Sequence, residues 1–378
     1  MLKTFFKIAA FALSFALLFL YNGSAAAEGT DGSSRSSILI EAKTGRVLYE
    51  QNAHEPLPMA STTKIMTALV ALENGNVHDL VTAGKNAFGV PGTSIYLSLG
   101  EQLPLLDMLY GLMLASGNDA AVAIAEHIGG DVDGFCKMMN DRAAAIGCED
   151  TVFASPHGLP ADNHHTTARD LALIAREAMR NPTFREIVST QRASIPWAGH
   201  DYDRILNNKN RLLSEYPGAI GVKTGYTKAA GRCLVFAAKR DRLELIGVVL
   251  NCPDWFQKAE ALLDRGFDNW QMVSLFSAGE TVRMVPVKNG VTDAVRVIAS
   301  DDVSAPVRMD AWPDLVLELP DSLEAGFRQG QAVGAAKLMD AGQTLITVPL
   351  VTVEAVPERS FRYGWHRVLR EWPLAAGE

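Results

Sequence analysis

The sequence is poor in cysteine, in positive charge and in long apolar runs, and each shortage narrows what the protein can be. Only four cysteines occur among 378 residues and none forms a C-x-x-C pair, which argues against a dense disulfide framework and favours buried free thiols. A formal net charge of −8 argues against binding nucleic acid through its phosphates. The length exceeds that of a usual single domain, so we expect two folded units.

The first 27 residues have the composition of a secretory signal peptide. Lys3 and Lys7 precede an apolar run over residues 8–20, and a small-residue stretch at 24–27 follows it. The apolar run is shorter than the about 20 residues that a bilayer crossing needs, which favours a cleaved leader over a retained anchor. We therefore expect a mature chain that begins near Glu28 and works outside the cytoplasm.

Residues 28–275 combine strand and helix patterns and are predicted to form one α+β catalytic domain. Strand-like runs at 38–40 and 47–49 flank Lys43-Thr44-Gly45, which reads as a hairpin turn with Gly45 at positive φ, and we assign this tripeptide no chemistry. Helical periodicity and then further strands follow, which predicts one antiparallel sheet, joined by the N-terminal strands, with helices packed on it. The helices are expected at residues 61–75, 105–114, 118–130, 167–179 and 255–270, and the later strands at 233–238 and 243–250.

The C-terminal part differs in composition. Short valine-rich segments separated by Gly, Pro and Asp predict a small all-β domain over residues 276–356, which holds no cluster of catalytic residue types and is expected to be a spacer or docking module. Over residues 357–378, aromatic and aliphatic residues at helical spacing oppose arginines. This pattern fits an amphipathic helix in the membrane interface, at the outer face of the cytoplasmic membrane. The alternative is a terminal helix docked on the protein itself.

Three short motifs occur in the order that an active-serine acyltransferase requires. They are Ser61-Thr62-Thr63-Lys64, Ser116-Gly117-Asn118 and Lys223-Thr224-Gly225. The first begins a helix, the second connects two buried helices, and the third follows a strand-like run, which places it on a strand rather than at a turn tip. Together the three motifs predict a covalent hydrolase.

The predicted catalytic residues are Ser61, Lys64 and Ser116. Residues three apart on a helix project from one face, so Lys64 can take the proton of the Ser61 hydroxyl. Burial and a second cation, Lys223, are expected to lower the pKa of this lysine enough for it to act as a base. Ser116 can relay a proton between Lys64 and the leaving amine. The backbone N–H groups of Ser61 and Tyr226 are expected to receive the oxyanion.

The predicted substrate-binding residues are Asn118, Lys223, Thr224, Gly225 and Tyr226. The amide of Asn118 can hold both the catalytic lysine and a substrate amide. Lys223 and Thr224 are donors suited to a carboxylate, and Gly225 leaves room for an extended peptide along the strand edge.

Two questions about charged and metal-binding residues follow. A further cation is expected to meet the substrate carboxylate, and the sequence leaves Lys209 and Arg211 as alternatives. His157 and His164-His165 lie in a loop without an acid cluster at ligand spacing, so we predict no metal site. The run 157–159 is interpreted as a turn that shapes the pocket wall.

Ordered runs beyond the three motifs support a family resemblance. They are residues 58–64, 92–94 with 100–101, 109–121, 155–159, 166–170 and 208–213. On these runs, over nearly its full length, the chain resembles the D-alanyl-D-alanine carboxypeptidases, the low-molecular-mass serine penicillin-binding proteins, in the subgroup with a β-rich C-terminal domain and a membrane-associating tail. Some members carry His where this chain has Tyr226.

The resemblance implies a fold, a reaction and partners. The fold would be the penicillin-binding and β-lactamase-like transpeptidase fold, followed by the small all-β domain. The reaction would be removal of the terminal D-alanine from peptidoglycan pentapeptide stems through an acyl-enzyme on Ser61. β-Lactams would acylate the same serine as covalent inhibitors, and no metal or organic cofactor is implied.

Three alternative functions share parts of this pattern. An endopeptidase that cleaves peptidoglycan cross-links would carry the same motifs. A β-lactamase would need a carboxylate that activates water, and no Glu-x-x-Leu-Asn run lies between Ser116 and Lys223. A catalytically silent penicillin-binding scaffold is disfavoured by the intact motif serine and lysines.

Overall fold

The computed structural model describes residues 34–359 and residue 365. The predicted signal peptide, residues 1–27, lies outside this range, and so does the predicted C-terminal helix apart from residues 357–359 and 365. In the part of the chain that is described, no helix combines the length and apolar character needed to cross a membrane.

Strands and helices alternate along the first part of the chain, and strands alone follow in the second. The strands are β1 (Ser36–Glu41), β2 (Val47–Gln51), β3 (Leu80–Thr82), β4 (Gln102–Pro104), β5 (Arg192–Ile195), β6 (Arg204–Asn207), β7 (Ala219–Thr227), β8 (Gly231–Arg240), β9 (Leu243–Leu250), β10 (Trp270–Phe276), β11 (Thr281–Lys288), β12 (Ala294–Ala299), β13 (Val303–Arg308), β14 (Asp314–Glu318), β15 (Leu323–Glu324), β16 (Ala332–Asp340) and β17 (Gln343–Thr352). The helices are α1 (Lys64–Asn74), α2 (Leu105–Tyr110), α3 (Asn118–Gly129), α4 (Val132–Ile146), α5 (Ala168–Ala178), α6 (Pro182–Ser189), α7 (Leu212–Glu215) and α8 (Trp255–Asn269).

A five-stranded antiparallel sheet in the order β2-β1-β9-β8-β7 forms the centre of the first part. Strand β1 pairs with β2 on one side and with β9 on the other, where Ile38 lies opposite Val248. The N-terminal strands therefore join the later ones, as the sequence predicts. The turn between β1 and β2 contains Gly45 at φ +76°, the left-handed backbone expected there.

The alternation of side chains along β1 divides the core of this part into two layers. Ile38 and Ile40 face one side, in a cluster that includes Ile65 of α1. Leu39 faces the other side and packs with Leu262 of α8. Because helices cover both faces, the central strands are apolar at nearly every position, which explains the continuous hydrophobic runs in the sequence.

Helix α1 runs through the core, and the first motif lies at its N-terminal end. A 3₁₀ turn, Ala60–Thr63, leads directly into α1, and every residue from 64 to 71 is buried. Burial of side chains such as Ile65 and Met66 contributes about 2 kcal/mol each to folding. The motif serine and lysine therefore lie on an element that is fixed by packing on all sides.

The second motif forms a tight connection between helices α2 and α3. A π-helical segment, Gly111–Ala115, continues α2 and ends at Ser116, whose backbone is left-handed at φ +64°. The N–H of Gly117 donates to the carbonyl of Gly111 at 3.1 Å. This return of the chain places Asn118 at the first turn of α3, inside the protein.

Helix α5 begins as predicted, but only one of the two hydrogen bonds of a capping box forms at its N-terminus. The side chain of Thr167 accepts a hydrogen bond from the N–H of Asp170, at 3.0 Å, which is one half of a capping box. The carboxylate of Asp170 accepts instead from the N–H of Asp150 and from the Thr151 hydroxyl. It therefore ties α5 to the loop before it rather than closing the box.

The second part of the described chain is built from strands. Strands β11, β12 and β14–β17 form a sheet in the order β14-β16-β17-β12-β11-β15, and β10 pairs with β13. Its core contains Val297, Leu338 and Leu350. The predicted α+β fold with a following all-β domain is therefore confirmed. The strand pairing of this domain starts at Trp270, earlier than the residue 276 expected from composition.

The cysteines do not form a disulfide framework. Cys136 and Cys233 are buried free thiols, as expected. Cys148 is also a free thiol but is only partly buried, and its Sγ lies 3.7 Å from the carbonyl oxygen of Asp170.

Candidate active site

A cleft of about 450 Å³ opens where the 3₁₀ turn before α1, the α2–α3 connection and strand β7 meet. Its lining residues are Ser61, Gly92, Thr93, Ser116, Asn118, Gly158, Leu159, Lys209, Thr224, Gly225, Tyr226, Thr227 and Trp255. Six of the eight predicted site residues thus line one cleft. The other two, Lys64 and Lys223, are buried behind its wall.

A larger cavity of about 810 Å³ lies between the β1–β2 hairpin and the all-β domain. Its acidic and basic side chains pair with one another, for example Lys43 with Asp301 and Arg185 with Glu244. None of the three motifs reaches this cavity. The smaller cleft is therefore the candidate active site.

The amine of Lys64 stands at the centre of the site. Its Nζ lies 3.1 Å from Ser61 Oγ, 2.7 Å from Asn118 Oδ1 and 2.7 Å from the carbonyl oxygen of His157. Two of these three partners, the amide and the peptide carbonyl, can only accept hydrogen bonds. A neutral amine would donate its two hydrogens to them and direct its lone pair at the Ser61 hydroxyl, the arrangement that a general base requires.

Burial and neighbouring charges favour this neutral form. The pKa of Lys64 lies well below its usual value, mainly because burial penalises the charged form and further because Lys223 and Lys209 repel a positive charge there. Burial and the charge of Lys209 also lower the pKa of Lys223, to about 7. Three amines close to one another therefore favour the uncharged form of Lys64, the form that can accept a proton.

The amide of Asn118 is held in one orientation by the loop that covers it. Its Nδ2 donates to the carbonyl of Pro91 at 2.6 Å, so its oxygen is the atom that faces Lys64. Gly92 has φ +92°, and a Cβ there would lie 2.8 Å from Asn118 Nδ2. The backbone N–H of Asn118 also donates to the carbonyl of Thr93.

Asp119 holds the same loop, although it is not among the predicted site residues. Its carboxylate accepts from the hydroxyl of Ser94 at 2.6 Å and from the N–H groups of Ile95 and Leu97. Bonds to an ionised acceptor are stronger than neutral ones. The residue after the second motif therefore fixes the loop that orients Asn118.

Ser116 lies in the same cleft as Ser61. Both Ser61 and Ser116 line the cleft, and Ser116 is 3% exposed. The carbonyl of Ser116 accepts a hydrogen bond from the hydroxyl of Thr93, which supports its left-handed backbone, a conformation that costs a residue other than glycine about 1 kcal/mol or more.

Strand β7 brings the third motif against the N-terminus of the first. A Cβ on Gly225 would lie 2.9 Å from the backbone nitrogen of Ser61 and 3.0 Å from that of Thr62. Only glycine leaves room for this approach. The close contact places Gly225, the residue before Tyr226, beside the amide of Ser61.

Lys223 lies deeper than the sequence suggested. It is 1% exposed, and its Nζ donates to the carbonyl of Thr224 at 3.0 Å. It therefore acts on the site mainly as a positive charge near Lys64. Tyr226, in contrast, is 63% exposed at the rim of the cleft.

The structure distinguishes the two cations that the sequence left open. Lys209 lines the cleft and lowers the pKa of both buried lysines. Arg211 points elsewhere, since its guanidinium pairs with Glu215 at 2.8 Å and lies 5.1 Å from the centre of the Phe256 ring. Lys209 is thus the cation that a substrate in the cleft would meet.

Trp255 and the histidine loop complete the surroundings of the cleft. Trp255, the first residue of α8, lines the cleft, and no motif or spacing in the sequence indicated it. Gly158 and Leu159, in the segment predicted to shape the pocket wall, also line the cleft. Within residues 34–359 and 365, no group of three or more His, Cys, Asp or Glu is arranged to hold a metal ion.

Comparison with known families agrees with this geometry. The family described as D-alanyl-D-alanine carboxypeptidase matches residues 23–254. The family described as the C-terminal domain of penicillin-binding protein 5 matches residues 270–358. The second match begins at Trp270, the first residue of strand β10, where the all-β domain begins.

Individual relatives are similar along most of their length. The D-alanyl-D-alanine carboxypeptidase DacF of Bacillus subtilis is 33% identical, with 89% of this chain and 90% of the relative covered. DacA of Escherichia coli is also 33% identical, over 86% of this chain and 84% of the relative. The solved structure of penicillin-binding protein 5 from Haemophilus influenzae has a TM-score of 0.73 at 28% identity and covers 86% of this chain and 98% of that one. The chain therefore belongs to the D-alanyl-D-alanine carboxypeptidase family, the serine-type hydrolases among the low-molecular-mass penicillin-binding proteins that carry a C-terminal β domain.

Proposed function

We propose that the protein removes the terminal D-alanine from peptidoglycan pentapeptide stems through an acyl-enzyme on Ser61. The observation that carries the proposal is the position of Lys64 Nζ, 3.1 Å from Ser61 Oγ and bonded to two carbonyl oxygens. A buried amine that is held in this way beside two other cations acts as a base. Family membership supplies the substrate class.

The acylation step uses the first and second motifs. The hydroxyl proton of Ser61 passes to Lys64 Nζ while Ser61 Oγ bonds to the carbonyl carbon of the penultimate D-alanine. The backbone N–H groups of Ser61 and Tyr226 receive the charge on the carbonyl oxygen, and loss of one such donor raises a barrier by about 3 kcal/mol. The carbon–nitrogen bond then breaks, and the proton reaches the departing D-alanine nitrogen through Ser116.

The deacylation step returns the enzyme to its starting state. A water molecule gives a proton to Lys64 while its oxygen bonds to the ester carbon, and Ser61 Oγ leaves and recovers a proton. One water is consumed and one D-alanine is released in each cycle. The same base thus serves both steps, and no metal or cofactor takes part in this scheme.

Recognition of the substrate carboxylate is assigned to the cations and donors at the β7 side of the cleft. Lys209 lines the cleft and Thr224 presents a hydroxyl beside it. Lys223, buried behind Thr224, adds positive potential without direct exposure. A free C-terminal carboxylate is what distinguishes a stem peptide from internal peptide bonds, so this arrangement favours carboxypeptidase over endopeptidase action.

The test combines a substrate assay with a covalent label. The purified enzyme is incubated with a D-Ala-D-Ala-ended pentapeptide and with fluorescent penicillin, and Ser61→Ala is compared with Ser300→Ala, an exposed serine of the all-β domain. We expect free D-alanine and a stable adduct from the wild type and from Ser300→Ala, and neither from Ser61→Ala. Rapid penicillin turnover would indicate a β-lactamase, cleavage of cross-linked dimers alone an endopeptidase, and no reaction a silent scaffold.

We also propose that the protein is exported and held at the outer face of the membrane, where it trims the cell wall and influences cell shape. Support comes from the composition of residues 1–27 and from the amphipathic pattern of residues 357–378. The mature protein should begin near Glu28 by N-terminal sequencing. The full chain should float with vesicles that contain anionic lipid, whereas a chain that ends at residue 356 should not. Equal flotation of the full and the shortened chain would favour a terminal helix docked on the protein itself.

A further inference from the structure

The residue before the nucleophile has an unusual backbone. Ala60 has φ +48° and is buried. A left-handed alanine costs about 1–2 kcal/mol, and such conformations persist only where the surrounding structure holds them. Because Ala60 directly precedes Ser61, whatever holds it also sets the direction of the Ser61 side chain.

A chain of three hydrogen bonds ends at the carbonyl of Ala60. The N–H of Ala154 donates to His164 Nδ1 at 3.0 Å, so that nitrogen carries no proton and the neutral ring carries its proton on Nε2. His164 Nε2 lies 2.9 Å from Thr63 Oγ1, and the Thr63 hydroxyl donates to the carbonyl of Ala60 at 2.8 Å. Each donor along the chain thus has one acceptor.

The loop that contains Pro156, His157 and Gly158 also contacts the backbone of Ala60. A Cβ on Gly158 would lie 1.9 Å from the Ala60 carbonyl oxygen, so the loop backbone presses directly on it. Thr67 of α1 donates to the carbonyl of Pro156 at 2.6 Å, and the carbonyl of His157 accepts from Lys64. The loop therefore contacts both the base and the residue before the nucleophile.

His164 is suited to this task by its own surroundings. It is 7% exposed, and its ring meets that of Phe153 edge to face with 6.1 Å between centres. Burial, with a smaller effect of His165, lowers the pKa of His164 to about 4. The ring is therefore neutral at physiological pH and can accept at one nitrogen while it donates at the other.

We propose that His164 is a positioning residue, which holds the left-handed Ala60 through Thr63 and thereby aims Ser61 Oγ at Lys64. The proposal rests on the proposed acyl-enzyme function. Specifically, the imidazole acts through the Thr63 hydroxyl, and its removal should slow the acylation of Ser61 without weakening substrate binding.

The first test separates positioning from folding. His164→Leu removes both hydrogen bonds, His164→Gln can keep an acceptor for Ala154 and a donor for Thr63, and His165→Leu is the control at the neighbouring ring. We expect the acylation rate constant with penicillin to fall about 10- to 100-fold in His164→Leu, to recover within a few-fold in His164→Gln, and to stay unchanged in the control. The dissociation constant of the non-covalent penicillin complex should not change.

The second test is a double-mutant cycle with Thr63. Thr63→Val removes the hydroxyl at nearly constant shape, and Thr63→Ser keeps it. Because the imidazole acts through this hydroxyl, His164→Leu combined with Thr63→Val should acylate no more slowly than the worse single variant. Additive losses, equal losses in His164→Leu and His164→Gln, or a lower melting temperature with an unchanged acylation rate would each overturn the proposal.

A third measurement does not depend on activity, and it stays informative if His164→Leu fails to fold. Nitrogen-15 NMR of histidine-labelled Ser61→Ala protein should show His164 with a non-protonated Nδ1 and a protonated Nε2. The opposite tautomer would overturn the proposal. Failure of the wild type to release D-alanine or bind penicillin would instead reject the proposed function, whatever the tautomer.

Discussion

The tripeptide Lys-Thr-Gly occurs twice in this chain, and the two copies share no role. The first, residues 43–45, lies at the turn of the β1–β2 hairpin, whereas the second, residues 223–225, lies inside strand β7 at the cleft. At the first copy, Lys43 Nζ lies 3.2 Å from Ser304 Oγ and 3.6 Å from a carboxylate oxygen of Asp302. This lysine is surrounded by acidic and polar groups and ties the hairpin to the all-β domain.

The second lysine has the opposite electrostatic environment. Lys223 is buried near Lys64 and Lys209, and its pKa is lowered to about 7. The glycines differ in the same way. Gly45 serves its turn through a left-handed backbone at φ +76°, whereas Gly225 serves the site by having no Cβ next to the amide of Ser61. Identical residues therefore acquire chemistry only from what the fold places around them.

Removal of the Lys223 side chain or of the Lys43 side chain should give the largest difference in acylation rate between the two copies of the tripeptide. Lys223→Ala should lower the acylation rate with penicillin by about 10³-fold, because a positive charge that acts together with burial to keep Lys64 neutral is lost. Lys43→Ala should stay within twofold of the wild type. Stopped-flow measurement of acylation checks both, and similar losses in the two variants would mean that the comparison is wrong.

Substitution of each glycine should affect different properties. Gly225→Ala forces a Cβ within 3.0 Å of two backbone nitrogens and should lower kcat for D-alanine release by about 100-fold. Gly45→Ala should instead lower the free energy of unfolding by about 1 kcal/mol, because alanine is strained at positive φ, with kcat unchanged. Steady-state kinetics and urea unfolding distinguish the two, and an unchanged kcat in Gly225→Ala would contradict the close approach of β7.

Replacement of Lys223 and of Lys43 by methionine should have different effects on the melting temperature. Lys223, with its pKa lowered from 10.5 to about 7, binds fewer protons in the folded than in the unfolded state between those values, so stability rises with pH across that window. At pH 7 this lysine destabilises the fold by on the order of a few kcal/mol. Lys223→Met should therefore melt at a higher temperature at pH 7, by a margin that shrinks toward pH 10.5.

Lys43→Met serves as the matched control for that experiment. Its ion pairs lie near the surface, where such pairs contribute about 0–1 kcal/mol. We expect an unchanged or slightly lower melting temperature with little dependence on pH. A lower melting temperature of Lys223→Met at pH 7 would show that the buried lysine does not destabilise the folded state.

The smallest effect should distinguish Lys209 from Arg211. The charge of Lys209 lowers the pKa of Lys64, so Lys209→Ala should raise that pKa and move the acidic limb of the pH–acylation profile to higher pH. Arg211→Ala should leave the limb in place, because its guanidinium pairs with Glu215 away from the cleft. A shift in Arg211→Ala alone would exchange the assignments of the two cations.

The sequence predicted five helices and the central strands of the first part of the fold because their signals are local and strong, but it did not predict helices α4 and α6. Strands β8 and β9 are continuous apolar runs, and the buried helix α1 ends near Asn74 as its pattern indicates. Strand β16 is not expected from its own residues, since its alanine- and glycine-rich sequence has low strand propensity. It forms because β14 and β17 pair with it on both sides, and for instance Ala335 lies opposite both Glu318 and Pro349.

The candidate active site shows the same difference between what local sequence signals predict and what tertiary contacts decide. The three motifs predicted five of the residues that line the cleft, because each motif has its own residue types and spacing. The choice between Lys209 and Arg211, the place of Trp255 in the cleft wall and the contact of His164 with Thr63 depend on the direction in which each side chain points. That direction is set by tertiary contacts, such as the pairing of Arg211 with Glu215, and no local pattern contains it.

The central claim, that Lys64 is a neutral base at the pH of the reaction, can be measured directly. Carbon-13 NMR of the lysine Cε groups, titrated from pH 5 to 11 and assigned with Lys64→Arg, reports the pKa of each lysine. We predict that the Lys64 resonance titrates well below the usual lysine value of 10.5. A Lys64 resonance that titrates at that usual value would contradict the account.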